Sequence, residues 1–357
     1  MAVLRETAIL ANKFRGCLVS AVLGDCLGAP YEGEESEEIS KVVLQKYFDK
    51  LEGPYFKSPQ KMYTDDTSMT KTVAESLIHI GGFDAKDMAD RFVKEFYKDP
   101  RRGYGQNVID VFAKLRKRTT DDVFLPAQEQ FGGSGSYGNG GAMRIAPVPL
   151  FCHKSYDNML HVAKQSTLIT HSNVLGINGA LLQCIAIHQS LALNPDEPLD
   201  VKKFSSDLKR KMSVIEETET SDDDSDSEAG NAYVEQLEAM DKLLEKDLGG
   251  IPISDEEVER TLGTSVAALH SVPTAIFCFL RAQNPIPDIK TDNIVRRTLQ
   301  YAISLGGDTD TIASMAGAIA GAFCGYEAIN ENVQKHCEGV EEAISAADKI
   351  HSIIEGS

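Results

Sequence analysis

Two stretches of this 357-residue chain set adjacent carboxylates and hydroxyls just ahead of an apolar, helix-periodic segment. The first is Tyr63-Thr64-Asp65-Asp66-Thr67-Ser68-Met69-Thr70, and the second is Gly306-Gly307-Asp308-Thr309-Asp310-Thr311-Ile312. Either alone reads first as helix capping, because Asp and Thr side chains satisfy the free N–H groups of a first turn. One cap needs only one such side chain, however, and neighbouring aspartates repel unless a cation or hydrogen bonds compensate them. An aspartate on the lip of an apolar helix is costly to bury unless it is ligated. Both motifs offer the same hard oxygens, which suit magnesium and not zinc or copper. Were all four aspartates to converge, two magnesium ions would fit them better than one.

Two further segments carry chemistry less specifically. In Gly24-Asp25-Cys26-Leu27-Gly28-Ala29-Pro30-Tyr31-Glu32, Gly28 and Pro30 end a long helix and Glu32 follows in a loop. A lone loop glutamate is usually just solvated, and Asp25 reads as a structural cap or partner inside the bundle. Between Gly132 and Ala142, six of eleven residues are glycine, which excludes a helix or strand interior. Such a loop can turn several backbone N–H groups toward an anion. It is neither a Walker loop, since no Gly-Lys-Ser/Thr follows, nor a dinucleotide fingerprint, since no strand precedes it. Phe131 and Tyr137 bracket the glycines and could stack a base; the plainer alternative is a flexible surface connection.

The elements that must position these residues are helices. Ile312, Met315, Ile319 and Phe323 recur at helical spacing, with Ala and Gly between them that would let neighbouring helices approach closely. Similar periodicity marks 8–27, 67–80, 85–97, 108–115, 158–170, 174–185, 256–269, 274–281 and 294–304, and no convincing run of period-two strands occurs. The expectation is an all-α chain, one domain over residues 1–357, with the 312–324 segment as a buried central helix. Residues 216–228, EETETSDDDSDSE, hold no basic or large apolar side chain and read as a disordered acidic surface insertion.

Composition sets the limits. Hydrophobic residues at 42% and charged residues at 25% are ordinary for a globular protein. A net charge of −18 disfavours duplex DNA as a direct partner, yet a metal can reverse the sign locally for a nucleotide-like ligand. Seven scattered cysteines without a C-x-x-C pair read as reduced, buried thiols. The 312–324 run is too short to cross a membrane, so no membrane partner is expected. The first sixteen residues match a mitochondrial transit peptide only weakly, because Glu6 stands among Arg5, Lys13 and Arg15.

In their order and content, GDCLGAPYE, YTDDTSMT, GSYGNGGAMR and LGGDTDTIASMAGAIAGAFCG resemble the ADP-ribosylglycohydrolase family across nearly the whole chain, residues 14–326. GSYGNGGAMR and the 271–281 segment SVPTAIFCFLR look closest to its vertebrate ADP-ribosylhydrolase 3 subgroup. The resemblance implies a single compact orthogonal bundle around a dinuclear magnesium centre. It implies Thr64, Asp65, Asp66, Asp308, Asp310 and Thr311 as metal ligands and Glu32 as a mobile catalytic carboxylate. Gly135, Ser136, Gly138 and Asn139 would hold the pyrophosphate and neighbouring ribose, and Phe131 and Tyr137 would sandwich the adenine. His171 would reach the phosphates or distal ribose, although alone it reads as a capping or core histidine. Gly103, in the 101–105 turn, would border the distal ribose.

The activity that this resemblance implies is magnesium-dependent cleavage at C1″ of serine-linked ADP-ribose, poly(ADP-ribose) and O-acetyl-ADP-ribose, with ADP-ribosylated proteins as partners. Cleavage there builds oxocarbenium character, with water attack and Glu32 moving the proton. The subgroup further implies a monomer serving the DNA-damage response in nucleus and cytoplasm, with the mitochondrial matrix as an additional site. Three competitors stand beside this reading: hydrolysis of arginine-linked ADP-ribose, a non-catalytic ADP-ribose reader, and a phosphohydrolase acting on the pyrophosphate.

Overall fold

The computed structural model describes residues 2–117, 121–221 and 230–356. These form seventeen α-helices: α1 Ala2–Gly28, α2 Lys41–Glu52, α3 Asp65–Ile80, α4 Ala85–Lys98, α5 Gln106–Lys117, α6 Leu125–Gln128, α7 Pro147–Phe151, α8 Tyr156–Leu168, α9 Val174–Leu191, α10 Val201–Ser221, α11 Ala232–Leu248, α12 Asp255–Leu262, α13 Val272–Arg281, α14 Ile294–Ser304, α15 Thr309–Cys324, α16 Glu331–Lys335 and α17 Val340–Gly356. Three isolated bridges stand in place of strands among the described residues. One hydrophobic core runs through the whole bundle.

At its centre α15 is buried along almost its entire length and packs backbone to backbone against α1. A Cβ added to Gly321 would lie 2.0 Å from the Gly16 carbonyl oxygen, one on Gly317 2.4 Å from that of Ser20, and one on Gly24 2.2 Å from that of Ala313. As the numbers rise along α1 they fall along α15, so the two helices are antiparallel. The Ala/Gly content therefore fixes more than closeness. It sets the end of α1, with Asp25, beside the start of α15, with Asp310, and the Thr309 hydroxyl donates to the Gly28 carbonyl at 2.9 Å across this junction.

Two sequence expectations need correcting. The 256–269 helix stops at Leu262, where Gly263 turns with φ 85; the chain then extends, and Thr264 offers its carbonyl to the Asp308 N–H at 2.8 Å. Residues 216–221 are not a disordered insertion but the last turns of α10. Glu216 is buried and accepts the N–H groups of Tyr233 and Val234, at 2.8 and 3.2 Å, so its carboxylate serves the first turn of α11. The remainder of that segment, 222–228, lies outside the described residues. Helix α9 is long and apolar enough to cross a membrane, but it is mostly buried within the protein, as core helices are.

Candidate functional site

The N-termini of α3 and α15 meet, and their caps decide what the aspartates are for. In α3 the Thr64 hydroxyl accepts the Asp66 N–H at 3.3 Å. Asp25, arriving on α1, accepts the N–H groups of Thr64 and Thr67, both at 3.0 Å, and the Thr67 hydroxyl at 2.6 Å. These bonds serve the first turn, so Asp65 and Asp66 are not needed as caps. In α15 Asp308 holds the N-cap position but makes no capping bond. Its carboxylate accepts the Asn139 amide instead, at 2.6 Å. The Thr311 hydroxyl donates to Asp66 at 2.9 Å and ties the two helix starts together.

Carboxylates around these two helix starts gather into two trios. Oxygens of Asp25, Asp66 and Asp310 lie within 4.8 Å of one another, as do those of Glu32, Asp308 and Asp310. Asp310 belongs to both. None of the ion pairs among the described residues involves any of these groups or Asp65. Burial, then mutual charge, therefore raises every one: Asp25 and Asp310 to about 7, Asp65 and Asp66 well above the usual carboxylate range, and Asp308 upward as well. The two helix N-termini supply only partial positive charge. Buried, mutually repelling hard oxygens with no cationic partner are the donor set a divalent metal fits, and these clusters could hold one.

The raised values have a consequence for stability. Carboxyls that hold protons up to about pH 7 in the folded protein release them near pH 4 once unfolded. The folded state therefore binds more protons in between, and stability must fall as pH rises through that window. Chelated protein is expected to melt several degrees higher at pH 5.5 than at pH 8, and saturating magnesium to remove that difference. Scanning calorimetry at both pH values, with and without chelator, checks this; a chelated melting temperature indifferent to pH would count against the unpaired cluster.

The trios open into a cleft of about 990 Å³. Of the residues singled out in the sequence, Glu32, Asp65, Gly103, Ser136, Gly138, Asn139, His171, Asp308, Asp310 and Thr311 line it. Thr64 and Asp66 stand behind it, in the turn that carries Asp65. Gly103 borders Asp65 directly: a Cβ there would sit 3.6 Å from its carboxylate. Asn139 gives its amide to Ser271 at 3.1 Å as well as to Asp308, which makes it the holder of Asp308. His171 is buried, bonded through Nδ1 to the Thr170 hydroxyl at 2.7 Å, and pushed by burial and then by Arg144 down to about 3, so it is neutral at physiological pH.

The glycine loop is ordered by its neighbours. Gly135 packs on Ser172 and spends its N–H on the Gln130 carbonyl at 3.1 Å, so that N–H is not offered to an anion. The N–H groups of Ser136 and Tyr137 meet no acceptor among the described residues. Phe131 and Tyr137 stand on the rim, each 53% exposed, with ring centroids 6.4 Å apart and planes at 31°. A flat ring between two others needs about 7 Å, twice the ~3.5 Å contact distance, so these rings must part slightly to admit one. Phe131 also adopts φ 52, a strained value that clusters at ligand clamps.

Glu32 is exposed at the cleft mouth, its carboxyl raised by partial burial and then by Asp310. Its loop is clipped to the α15 turn: Gly33 donates to Gly307 at 2.9 Å and Gly307 to Glu34 at 2.8 Å. Gly28, at the end of α1, is locked in place, since a Cβ there would lie 2.6 Å from the Thr309 carbonyl oxygen. Sequence reasoning missed three contributors: Asp25 as a carboxylate of the inner trio, Ser271 behind Asn139, and Arg144 in the cleft wall.

Comparison with known proteins agrees with this picture. The sequence profile of the ADP-ribosylglycohydrolase family matches residues 6–357. The chain is 44% identical to ADP-ribosylhydrolase ARH3 of Bos taurus, over 97% of this chain and 94% of that one. It is 42% identical to ADP-ribosylhydrolase ARH3 of Homo sapiens, over 97% and 94%. Among solved structures, an ADP-ribosylglycohydrolase-related protein complex superposes with a TM-score of 0.66 at 21% identity, covering 96% of this chain and 98% of that chain, which shows a shared fold.

Proposed function

The chain belongs to the ADP-ribosylglycohydrolase family and is a hydrolase of ADP-ribose conjugates, and from that premise we propose that it is magnesium-dependent and cleaves serine-linked ADP-ribose, poly(ADP-ribose) and O-acetyl-ADP-ribose at C1″. The observation that carries this reading is the pair of carboxylate trios sharing Asp310 at one end of a cleft whose rim holds the Phe131–Tyr137 slot. Such a cleft suits a ligand with a flat base at one end and a hydroxyl-rich sugar at the other.

Two magnesium ions held by Asp65, Asp66, Asp308 and Asp310, with Thr64 and Thr311, would supply Lewis-acid polarisation of ribose and water oxygens. The protein groups do the rest. Asn139 fixes Asp308, and Asp25 fixes the turn that presents Asp65 and Asp66. The Ser136 and Tyr137 N–H groups face the diphosphate, and Phe131 and Tyr137 stack the adenine. Glu32 takes a proton from the water that attacks C1″. The bond from C1″ to the serine oxygen breaks with its electron pair on that oxygen, which is then protonated. The same reading expects a monomer acting in nucleus and cytoplasm, with the mitochondrial matrix as a further site.

The test is mass spectrometry of products released from serine-ADP-ribosylated peptide, with and without magnesium, beside an arginine-modified peptide. Free ADP-ribose from the serine peptide alone, only with magnesium, is the expected result. Release from arginine would redirect the specificity, AMP would mean phosphohydrolysis, and binding without any product would mean a reader.

A further inference from the structure

The cleft lining holds four carboxylates, Glu32, Asp65, Asp308 and Asp310, and, among the described residues, a single lysine or arginine, Arg144. Arg144 is 1% exposed. One terminal nitrogen donates to the Ser166 carbonyl at 2.9 Å, the guanidinium lies 4.6 Å over the Phe92 ring, and the buried Nε meets no acceptor. Five donors in one planar group are rarely left so under-used when buried. A carboxylate partner would be the ordinary way to retain such a charge, yet Arg144 takes part in none of the ion pairs among the described residues. Its field falls instead on Asp65 on one side and His171 on the other.

A diphosphate entering this cleft brings two negative charges to a place already crowded with carboxylates. His171 is neutral there, and the Ser136 and Tyr137 N–H groups are dipoles without net charge. Apart from the magnesium ions proposed above, the fixed positive charge in the lining is Arg144, held in a low-dielectric wall where its reach is long. We propose that Arg144 is the charge that sets the affinity of the cleft for the diphosphate of its ligand, and that the same charge weakens divalent-cation binding at the neighbouring carboxylates. The inference rests on the ADP-ribose reading above. It makes a prediction that a merely structural arginine does not, because removal shifts the two affinities in opposite directions.

Isothermal titration calorimetry separates the cases. Wild type, Arg144→Met, Arg144→Gln and Arg144→Lys are titrated with magnesium chloride alone, with ADP-ribose at saturating magnesium, and with adenosine, which lacks the diphosphate. The two neutral variants are expected to lose about tenfold or more in ADP-ribose affinity while magnesium binds several-fold tighter. Adenosine should bind all four alike, and Arg144→Lys should stay within a few-fold of wild type. Glutamine serves where methionine fails to fold, with melting temperature as the control. Loss of both affinities together, loss of neither, or a lysine variant as weak as the neutral ones would overturn the proposal. Wild type that binds no ADP-ribose at all would sink the functional reading as well.

Discussion

Asp310→Asn is expected to lower turnover by about a thousandfold or more, equivalent to roughly 4 kcal/mol of lost transition-state stabilisation. The reason is its place in both carboxylate trios, with Asp25 and Asp66 on one side and with Glu32 and Asp308 on the other. Losing it weakens both sets of ligands at once, whereas losing Asp308 disturbs only the outer one. Its second consequence is less intuitive. Asp310 is a buried carboxylate among like charges, and burial and Asp308 push its carboxyl up to about 7. An amide of the same shape removes one of those charges, so the ion-free variant should melt above ion-free wild type and show a shallower fall with pH. Magnesium should raise its melting temperature much less. Steady-state hydrolysis of serine-ADP-ribosylated peptide gives the first number and chelated thermal melts the second. Near-normal activity in this variant would remove Asp310 from the centre of the site.

Much of this arrangement is legible in the chain, and where legibility stops has a physical explanation. The TDDT and GDTDT motifs point to clustered carboxylates because they hold more acids than two helix caps can use. Only the fold shows the α3 cap served by Asp25 and Thr64 rather than by Asp65 or Asp66. Asp25 itself is legible only in part. Its spacing in α1 suggests a cap or internal partner, which it is, but nothing local says that the antiparallel α1–α15 register brings it within reach of Asp310. The central helix is readable from its Ala/Gly pattern. Helices α10, α11 and α17 are absent from the sequence reading although their buried residues keep helical spacing, as Tyr233, Leu237, Met240 and Leu244 do in α11. Glu216 shows the limit of composition: an acidic run reads as solvated, yet its first residue is buried against the start of α11. Gly263 is a stop signal that the apolar period on either side of it hides, and the turn it makes delivers the Thr264 carbonyl that orients Asp308. Arg144 closes the GSYGNGGAMR motif, but an arginine after a glycine loop gives no sign of being buried.

Glu32→Gln should reduce kcat by about a hundredfold to ten-thousandfold, the usual worth of a positioned proton-transfer group, with KM nearly unchanged. The carboxylate is poised for this work by its surroundings. It is exposed at the mouth and meets no hydrogen-bond donor among the described residues, so it is not consumed by structure. In the ion-free protein partial burial and then the charge of Asp310 raise its carboxyl from the ordinary glutamate value. Two backbone bonds between residues 33–34 and Gly307 hold its loop against the α15 turn, so the carboxylate and the clustered aspartates keep a common frame. A base must be ionised to act, so wild-type kcat should fall as pH drops through the value at which Glu32 takes up its proton, and that acidic limb should be absent from the residual activity of the glutamine variant. Because Glu32 also offers an oxygen to the outer trio, a simple ligand role would instead show as a higher magnesium requirement that excess metal restores. Measuring kcat against pH at saturating magnesium, then against magnesium at one pH, tells the two apart. Full rescue by excess metal would assign Glu32 to ion binding and leave the proton transfer to another group.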